Sequence, residues 1–382
     1  MERIQHINPD RIQWCCDDHG IALDQLAEKL KISLARFKSV MAGEGGLTFK
    51  QLRKVARFFN RGALFFLDST PVIETQVRTP QFRTIASQKP DLSADLKALI
   101  ERVERHRDIY LSLREDLGEE DSPQFNPPEL PRQNPKRAAE VARKWLNLGE
   151  QNDFSSYREA VEAKDILVFR SQGYAGAWQI PNESQIIGFQ IYHPKCPAIV
   201  IKKLRSEPRQ SFTLMHELGH VLLHRNSFID DEENLYNHEG REQKANAFAG
   251  HLLVPDAFLG HIRGDTCPSD VEQFDAWLEP HRKKWGVSGE VILRRLLDSG
   301  RLDQTSYQAY RDWWNKRPKP KKPGGSRKYR HREPLHIFGG QFVRTVFDAL
   351  HTQQVSLSKA STYLDNLKIK KVHELGNYIA SL

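Results

Sequence analysis

The sequence predicts an α+β chain that is mostly helical: an N-terminal helical bundle, a central domain on a small three-stranded sheet, and small helical modules towards the C-terminal end. Three observations carry this. Apolar residues recur at spacings of three and four through most of the 382 residues, the period of helices that bury one face. Three short apolar runs, Ile166–Arg170, Gln185–Ile191 and Ala198–Lys202, have the length of strands and are punctuated by Gly173, Gly176, Pro181 and Pro194. After them stands Phe212-Thr-Leu-Met-His-Glu-Leu-Gly-His-Val-Leu-Leu-His224, an apolar run whose His216 and His220 fall one helical turn apart on one side.

Bulk properties narrow the class. A hydrophobic share of 39% beside 28% charged residues reads as a folded, soluble chain. It has no run of about 18 apolar residues, so no membrane span is expected, and MERIQHINPDRIQ lacks the apolar stretch of a secretory signal. Cys15, Cys16, Cys196 and Cys267 have neither metal-ligand spacing nor a disulfide framework, so a reducing, cytoplasmic setting fits best. A net charge of +8 permits a nucleic-acid partner without requiring one.

Residues 1–70 form the first expected domain. Leu23, Leu26, Ala27 and Leu30 mark one helix. Ser33 is placed to cap a second, running to about Ala42, and Gly43-Glu-Gly-Gly46 breaks it. Leu52, Val55, Ala56 and Phe59 mark a third over Thr48–Asn60. Helix, tight turn, helix, loop, helix is the layout of a helix-turn-helix domain. The second helix would then read double-stranded DNA through Ser33, Arg36, Lys38 and Ser39, with Lys50 and Arg53 on phosphates. The stretch resembles the helix-turn-helix domain of phage-repressor-like (Xre-type) regulators. Leu34 and Ala35 at reading positions fit the competing role of a protein-docking bundle.

Residues 71–135 read as a loop, a spacer helix over Asp91–Leu117 and a proline-rich boundary from Pro123 to Pro135. Residues 136–265 hold the sheet and the His-Glu-x-x-His helix, which should start near Pro208. Residues 266–315 form a helical, helix-turn-helix-like module with Arg294 and Arg295 read as exposed. Lys316 to Arg332 carries nine Lys/Arg and no acid, so 316–333 is a basic flexible linker. Residues 334–382 form a last helical module, a candidate for docking or oligomerisation.

The chemistry concentrates in residues 136–265. Two imidazoles one turn apart can share one Zn2+. No cysteine flanks the motif to close a structural site. The next helix, Gly240-Arg-Glu-Gln-Lys-Ala-Asn-Ala-Phe-Ala-Gly-His-Leu-Leu-Val-Pro255, is alanine-rich on its packing side and can lie close to the first. Its Glu242 is read as the third ligand. Glu239 competes but precedes Gly240 and falls outside the helix. Two His and one Glu leave a position open, as catalytic sites do. Glu217 is the candidate base. Tyr236, His238 and His251 are candidate donors to a tetrahedral oxyanion. His224 and Asn246 are candidates for supporting the ligands. Asp230, Asp231, Glu232 and Glu233 read as a solvated acidic loop.

"HELGHVLLH" with "EQKANAFAGHLLVP" resembles the ImmA/IrrE family of zinc-dependent metallopeptidases, over roughly residues 15–300. The resemblance implies a zincin-like domain with His216, His220 and Glu242 as zinc ligands and Glu217 as general base. It also implies an endopeptidase that cuts or inactivates a repressor or antitoxin-like regulator and so alters transcription. A different class is a non-proteolytic DNA-binding regulator whose zinc domain senses or binds a protein partner.

Overall fold

The computed structural model describes residues 3–59, 61–72, 92–119, 125–171, 176–181, 184–231, 240–317 and 327–381. The chain divides into two compact units, 1–102 and 103–382.

The first unit contains helices Pro9–Asp18, Leu23–Leu30, Leu34–Met41 and Phe49–Phe58, with a 3-10 turn at Ala63–Phe66. Strands β1 (Arg3–Ile4) and β2 (Leu47–Thr48) pair antiparallel. Lys31 turns the chain between the second and third helices in the left-handed region, φ 54°, and Ser33 is extended just before Leu34. Thr48 and Gln51 form a reciprocal cap on the fourth helix. Ile12, Leu26, Phe37, Leu52 and Val55 are buried together in the core. The pattern read from the sequence begins at Gly20. The structure adds the helix Pro9–Asp18, started by the Asn8 side chain, which accepts from the Asp10 amide at 3.0 Å, and by Pro9 in its first turn.

The second unit is built on four strands, β3 (Leu167–Arg170), β4 (Ile186–Ile191), β5 (Ala198–Ile201) and β6 (Phe228–Asp231), in the order β3-β5-β4-β6. β3 runs parallel to β5, while β4 runs antiparallel to β5 and to β6. The expected three-stranded sheet is therefore corrected to four. β6 lies where an acidic run masks a short alternation: Phe228 and Asp230 turn to one face and Ile229 to the other. A bulge at Ile187 shifts the β4–β6 register, so that Ile186 faces Asp231 and Gly188 faces Asp230.

Every residue of β4 and β5 is buried, because helices cover the sheet. The helix Glu207–Gly219 packs on β4, β5 and the helix Gly240–Leu253, which in turn packs on Pro135–Trp145. The helix Glu333–His351 packs on β3 and on Phe154–Glu162. Arg158 and Glu162 fasten it. Arg158 donates to the carbonyls of Leu335, His336, Ile337 and Val168 and pairs with Glu162 at 2.8 Å. Glu162 accepts from the amides of Gly340 and Gln341. Gly339 breaks the helix there with φ 84°, ψ 169°, and a Cβ on it would overlap the Glu162 carboxylate.

The helix Ala94–Asp116 buries Leu96, Leu99, Ile100 and Val103. In the second unit its Tyr110 and Arg114 both donate to Asp165. Helices Glu279–Trp285, Gly289–Asp298 and Gln304–Lys316 follow the central domain, and Leu357–Tyr363 and Ile369–Ile379 close the chain. Arg295 is not exposed as expected. It is 2% accessible and donates to the Val254 carbonyl and Asp256, while the half-exposed Arg294 pairs with Asp298. Residues 73–90 of the loop expected from Thr70 to Pro90 and residues 318–326 of the basic linker 316–333 lie outside the described residues, while Arg327–Arg332 of that expected flexible linker forms a 3-10 helix. No helix among the described residues is long and apolar enough to cross a membrane.

Candidate metal centre

The site begins with how its helix starts. Ser206 accepts from the Arg209 amide, and Pro208 fixes the first turn of Glu207–Gly219. From His220 to His224 the helix widens into a π turn, which Arg225 ends in the left-handed region with φ 50°. His216, Glu217 and His220 are 0% exposed. The helix Gly240–Leu253 approaches at Gly219. A Cβ there would stand 3.1 Å from Phe248 and 3.4 Å from the Ala245 backbone. The small residues of both motifs thus serve one close crossing, which brings Glu242 beside the two histidines.

The ring nitrogens His216 Nε2 and His220 Nε2 lie 3.1 Å apart. Glu242 Oε2 is 3.4 and 3.5 Å from them. Asp230 Oδ2, delivered by β6, is 3.5 Å from both. Among the described residues these four make the one group of His, Cys, Asp or Glu able to hold a metal ion, with all ligand atoms within 4.8 Å of one another. A tetrahedron with bonds of about 2.0–2.1 Å has edges of about 3.3–3.4 Å, so the donor spacing fits Zn2+. Two imidazole nitrogens aimed at one point with two carboxylates have a shared use in gripping a cation.

The surroundings orient these donors. His220 Nδ1 lies 2.9 Å from His224 Nδ1, so a proton on His220 Nδ1 is donated to His224 and leaves Nε2 free as the ligand atom. Burial, helped by the charges of His220 and Arg241, pushes His224 down to about 4 and keeps it a neutral acceptor. Phe228 stacks on His220 at 4.8 Å, and Phe212 on His216 at 6.4 Å. Burial opposes protonation of His216, but Asp230 and Glu242 outweigh it and raise it to about 9. Burial would raise Glu242, yet the two histidines lower it to about 2.

Glu217 lies against the sheet. A Cβ on Gly188 of β4 would lie 2.3 Å from Glu217 Oε1. The Glu217 carboxyl shares a hydrogen bond with the Asp230 carboxylate. Burial, then the Asp230 and Glu242 charges, hold its carboxyl well above the usual range. A buried carboxyl held above its usual range beside a metal-binding cluster is a group placed for proton transfer.

The remaining expected site residues separate. Asn246, half-buried, follows Glu242 by one turn. His251 lies 4.0 Å from Asp256 and outside the four-residue group. Burial and the Arg295 charge push it down to about 4. Tyr236 and His238 lie outside the described residues. In the first unit, Ser33, Lys38, Lys50 and Arg53 are exposed, with Arg36 and Ser39 half-buried. The sequence reading missed Asp230 and Gly188. The apolar pair Phe228-Ile229 ahead of the acids was the available signal for the first.

The family model described as the IrrE N-terminal-like domain matches residues 161–297. That span holds all four cluster residues and Glu217. Residues 161–297 form an IrrE-like metallopeptidase domain. This domain carries a zincin-like catalytic cluster, as a metalloendopeptidase requires. Over 81 residues the chain is 36% identical to "Uncharacterized immunity region protein 2" of Bacillus phage phi105, covering 21% of this chain. The chain spans half the length, 50%, of that curated relative. No solved structure matches it.

Proposed function

We propose that the chain is a zinc endopeptidase whose substrate is a helix-turn-helix repressor or antitoxin-like regulator, so that cleavage alters transcription. One observation carries the enzymatic part: the buried Glu217 carboxyl stands beside a group of four metal-ligating side chains within the IrrE-like domain. In this reading His216, His220 and Glu242 hold the metal, and His224 and Asn246 support it. A bound Zn2+ would supply Lewis acidity to the scissile carbonyl and the attacking water, and its charge would offset the Asp230 and Glu242 charges that add to burial in raising the Glu217 carboxyl.

Glu217 then takes a proton from the attacking water and passes it to the departing amine. Gly188 leaves room for that carboxylate against the sheet. The dry surroundings of Glu217 keep the proton on the reaction path. His251, turned towards Asp256, has no part in this scheme, and Tyr236 and His238 remain proposed donors to the oxyanion.

The choice of a regulator as substrate is supported by the relative from a phage immunity region and by the helical layout of residues 1–70. There Ser33, Arg36, Lys38 and Ser39 would face bases and Lys50 and Arg53 phosphates of double-stranded DNA. The test incubates wild type and Glu217→Gln with helix-turn-helix proteins encoded beside the gene and identifies products by mass spectrometry. Glu217→Gln should retain zinc and lose roughly 10²–10⁴-fold in cleavage rate. Cleavage at the wild-type rate would remove Glu217 from the mechanism.

A second reading has one observation in its favour. With Asp230, the cluster offers four protein ligands, the count of a closed structural site. A non-proteolytic regulator would then keep its DNA-dependent output in Glu217→Gln and yield no product from any partner.

A further inference from the structure

Asp230 and Glu242 meet the two histidines on nearly equal terms, at 3.5 and 3.5 Å against 3.4 and 3.5 Å. Asp230 is the more deeply buried, with its side chain 1% exposed against 16% for Glu242. Its carboxylate therefore stands at the vertex that a His-His-Glu site would leave for water and substrate.

The strand that brings it there has a second property. β6 occupies the edge of the sheet beside β4, and an extended peptide binds to a sheet by adding at such an edge. Asp230 pairs in register with Gly188, and Gly188 is the residue on which Glu217 rests. The position opposite Gly188 is thus where a substrate strand must place its reacting residue, between the metal ligands and Glu217. Phe228, two residues earlier on the same face, stacks on His220. The β6 segment fills both the ligand vertex and the strand position of a substrate.

We propose that β6 is an internal substrate mimic: Asp230 serves as the fourth metal ligand of a resting, closed site, and an incoming regulator strand must displace β6 from β4 to be cut. This rests on the metal-site reading above and adds a regulatory state to it. With a metal held by His216, His220 and Glu242, the exchange would make and break no covalent bond, because the Asp230 carboxylate would withdraw and a substrate carbonyl would take its place. The mimic survives because it presents a side-chain carboxylate, not a peptide carbonyl. It also defines a substrate class: an extended segment running antiparallel to β4, with an aromatic residue two positions before the reacting one.

The test uses the full chain loaded with Co2+ in place of Zn2+, with azide as the probe of an open vertex and the visible Co2+ bands as readout. Wild type, Asp230→Ala and Asp230→Asn are titrated, with His216→Ala as the control for metal at this site. If Asp230 holds the vertex about 90% of the time, its removal tightens azide binding by about 10-fold. Wild-type Co2+ should bind one equivalent and resist azide, and both Asp230 variants should admit it. The Asp230→Asn variant keeps the size of the side chain, so a misfolded alanine variant leaves the asparagine result decisive. Equal azide affinity in wild type and in a folded Asp230 variant, each holding one Co2+ that His216→Ala loses, overturns the mimic and leaves the metal site standing. Failure of wild type to bind Co2+ overturns both.

Discussion

Gly188 has no side chain where Glu217 needs space. A Cβ would come within 2.3 Å of Glu217 Oε1, with the Val200 carbonyl 3.1 Å away on the other side, so the carboxylate has to move. Gly188→Ala should retain metal, since the atoms nearest the added methyl belong to Glu217, Thr213 and Val200 and not to the four ligating residues, and should lower kcat by about 10²-fold, the cost of a displacement of about 1 Å. Metal analysis alongside single-turnover kinetics checks both halves.

His216 yields a pH prediction at the same scale. Its folded pKa, about 9, lies above its ordinary 6.5, so its protonation stabilises the fold fully below about pH 6.5. That contribution is lost as pH rises through about 9. In chelator, Tm should therefore fall between these pH values, and the raised Glu217 carboxyl acts in the same direction. Metal requires the neutral imidazole, so zinc binding at pH 7 should release about one proton and strengthen with pH. Calorimetry in buffers of different ionisation enthalpy measures that proton.

His216, Glu217 and His220 were legible because four-residue spacing on a helix fixes a common face. Glu242 was legible through the alanines around it. Asp230 was hidden by its own neighbours, since acids in a row imitate a solvated loop. Gly188 was hidden because a strand glycine says nothing of what crosses above it.

Among elements, the crossing of Glu207–Gly219 over Gly240–Leu253 sets the site. Gly219→Ala would press a methyl to 3.1 Å from Phe248. The helices should part slightly, at a cost of about 1–3 kcal/mol, read from urea unfolding midpoints, with weaker metal binding from the displaced Glu242. Most elements here are visible in the sequence. The strands expected at Ile166–Arg170, Gln185–Ile191 and Ala198–Lys202 form within a residue of those limits, because apolar runs covered on both faces leave a continuous signal. β6 has four residues and gains its place from pairing with β4, a long-range partner that local periodicity does not encode.

For the whole molecule, the buried Arg158–Glu162 pair joins the helix Phe154–Glu162 to residues 335–341. Glu162→Ala would leave the 7% exposed Arg158 without its countercharge and the amides of Gly340 and Gln341 without an acceptor. The expected loss is about 3–5 kcal/mol, measured by chemical unfolding, with the C-terminal helix more open to protease. The final helices were legible as helices. The packing of Glu333–His351 on β3 was not, because the bonded partners stand 177 residues apart at Arg158 and Leu335.

That separation also has a meaning in time. Synthesis proceeds at about 5–20 residues per second, so Arg158 leaves the ribosome roughly 9–35 s before Leu335 exists. Through that interval β3 lacks the helix Glu333–His351 and keeps only Phe154–Glu162 against it, and a buried charge site waits for its carbonyls. The nascent domain can assemble its histidine cluster while its opposite sheet edge is still open to stray strands. Chains arrested before residue 333 should consequently associate with holding chaperones more than chains that extend past residue 351, which places the covering of β3 after synthesis of Glu333–His351.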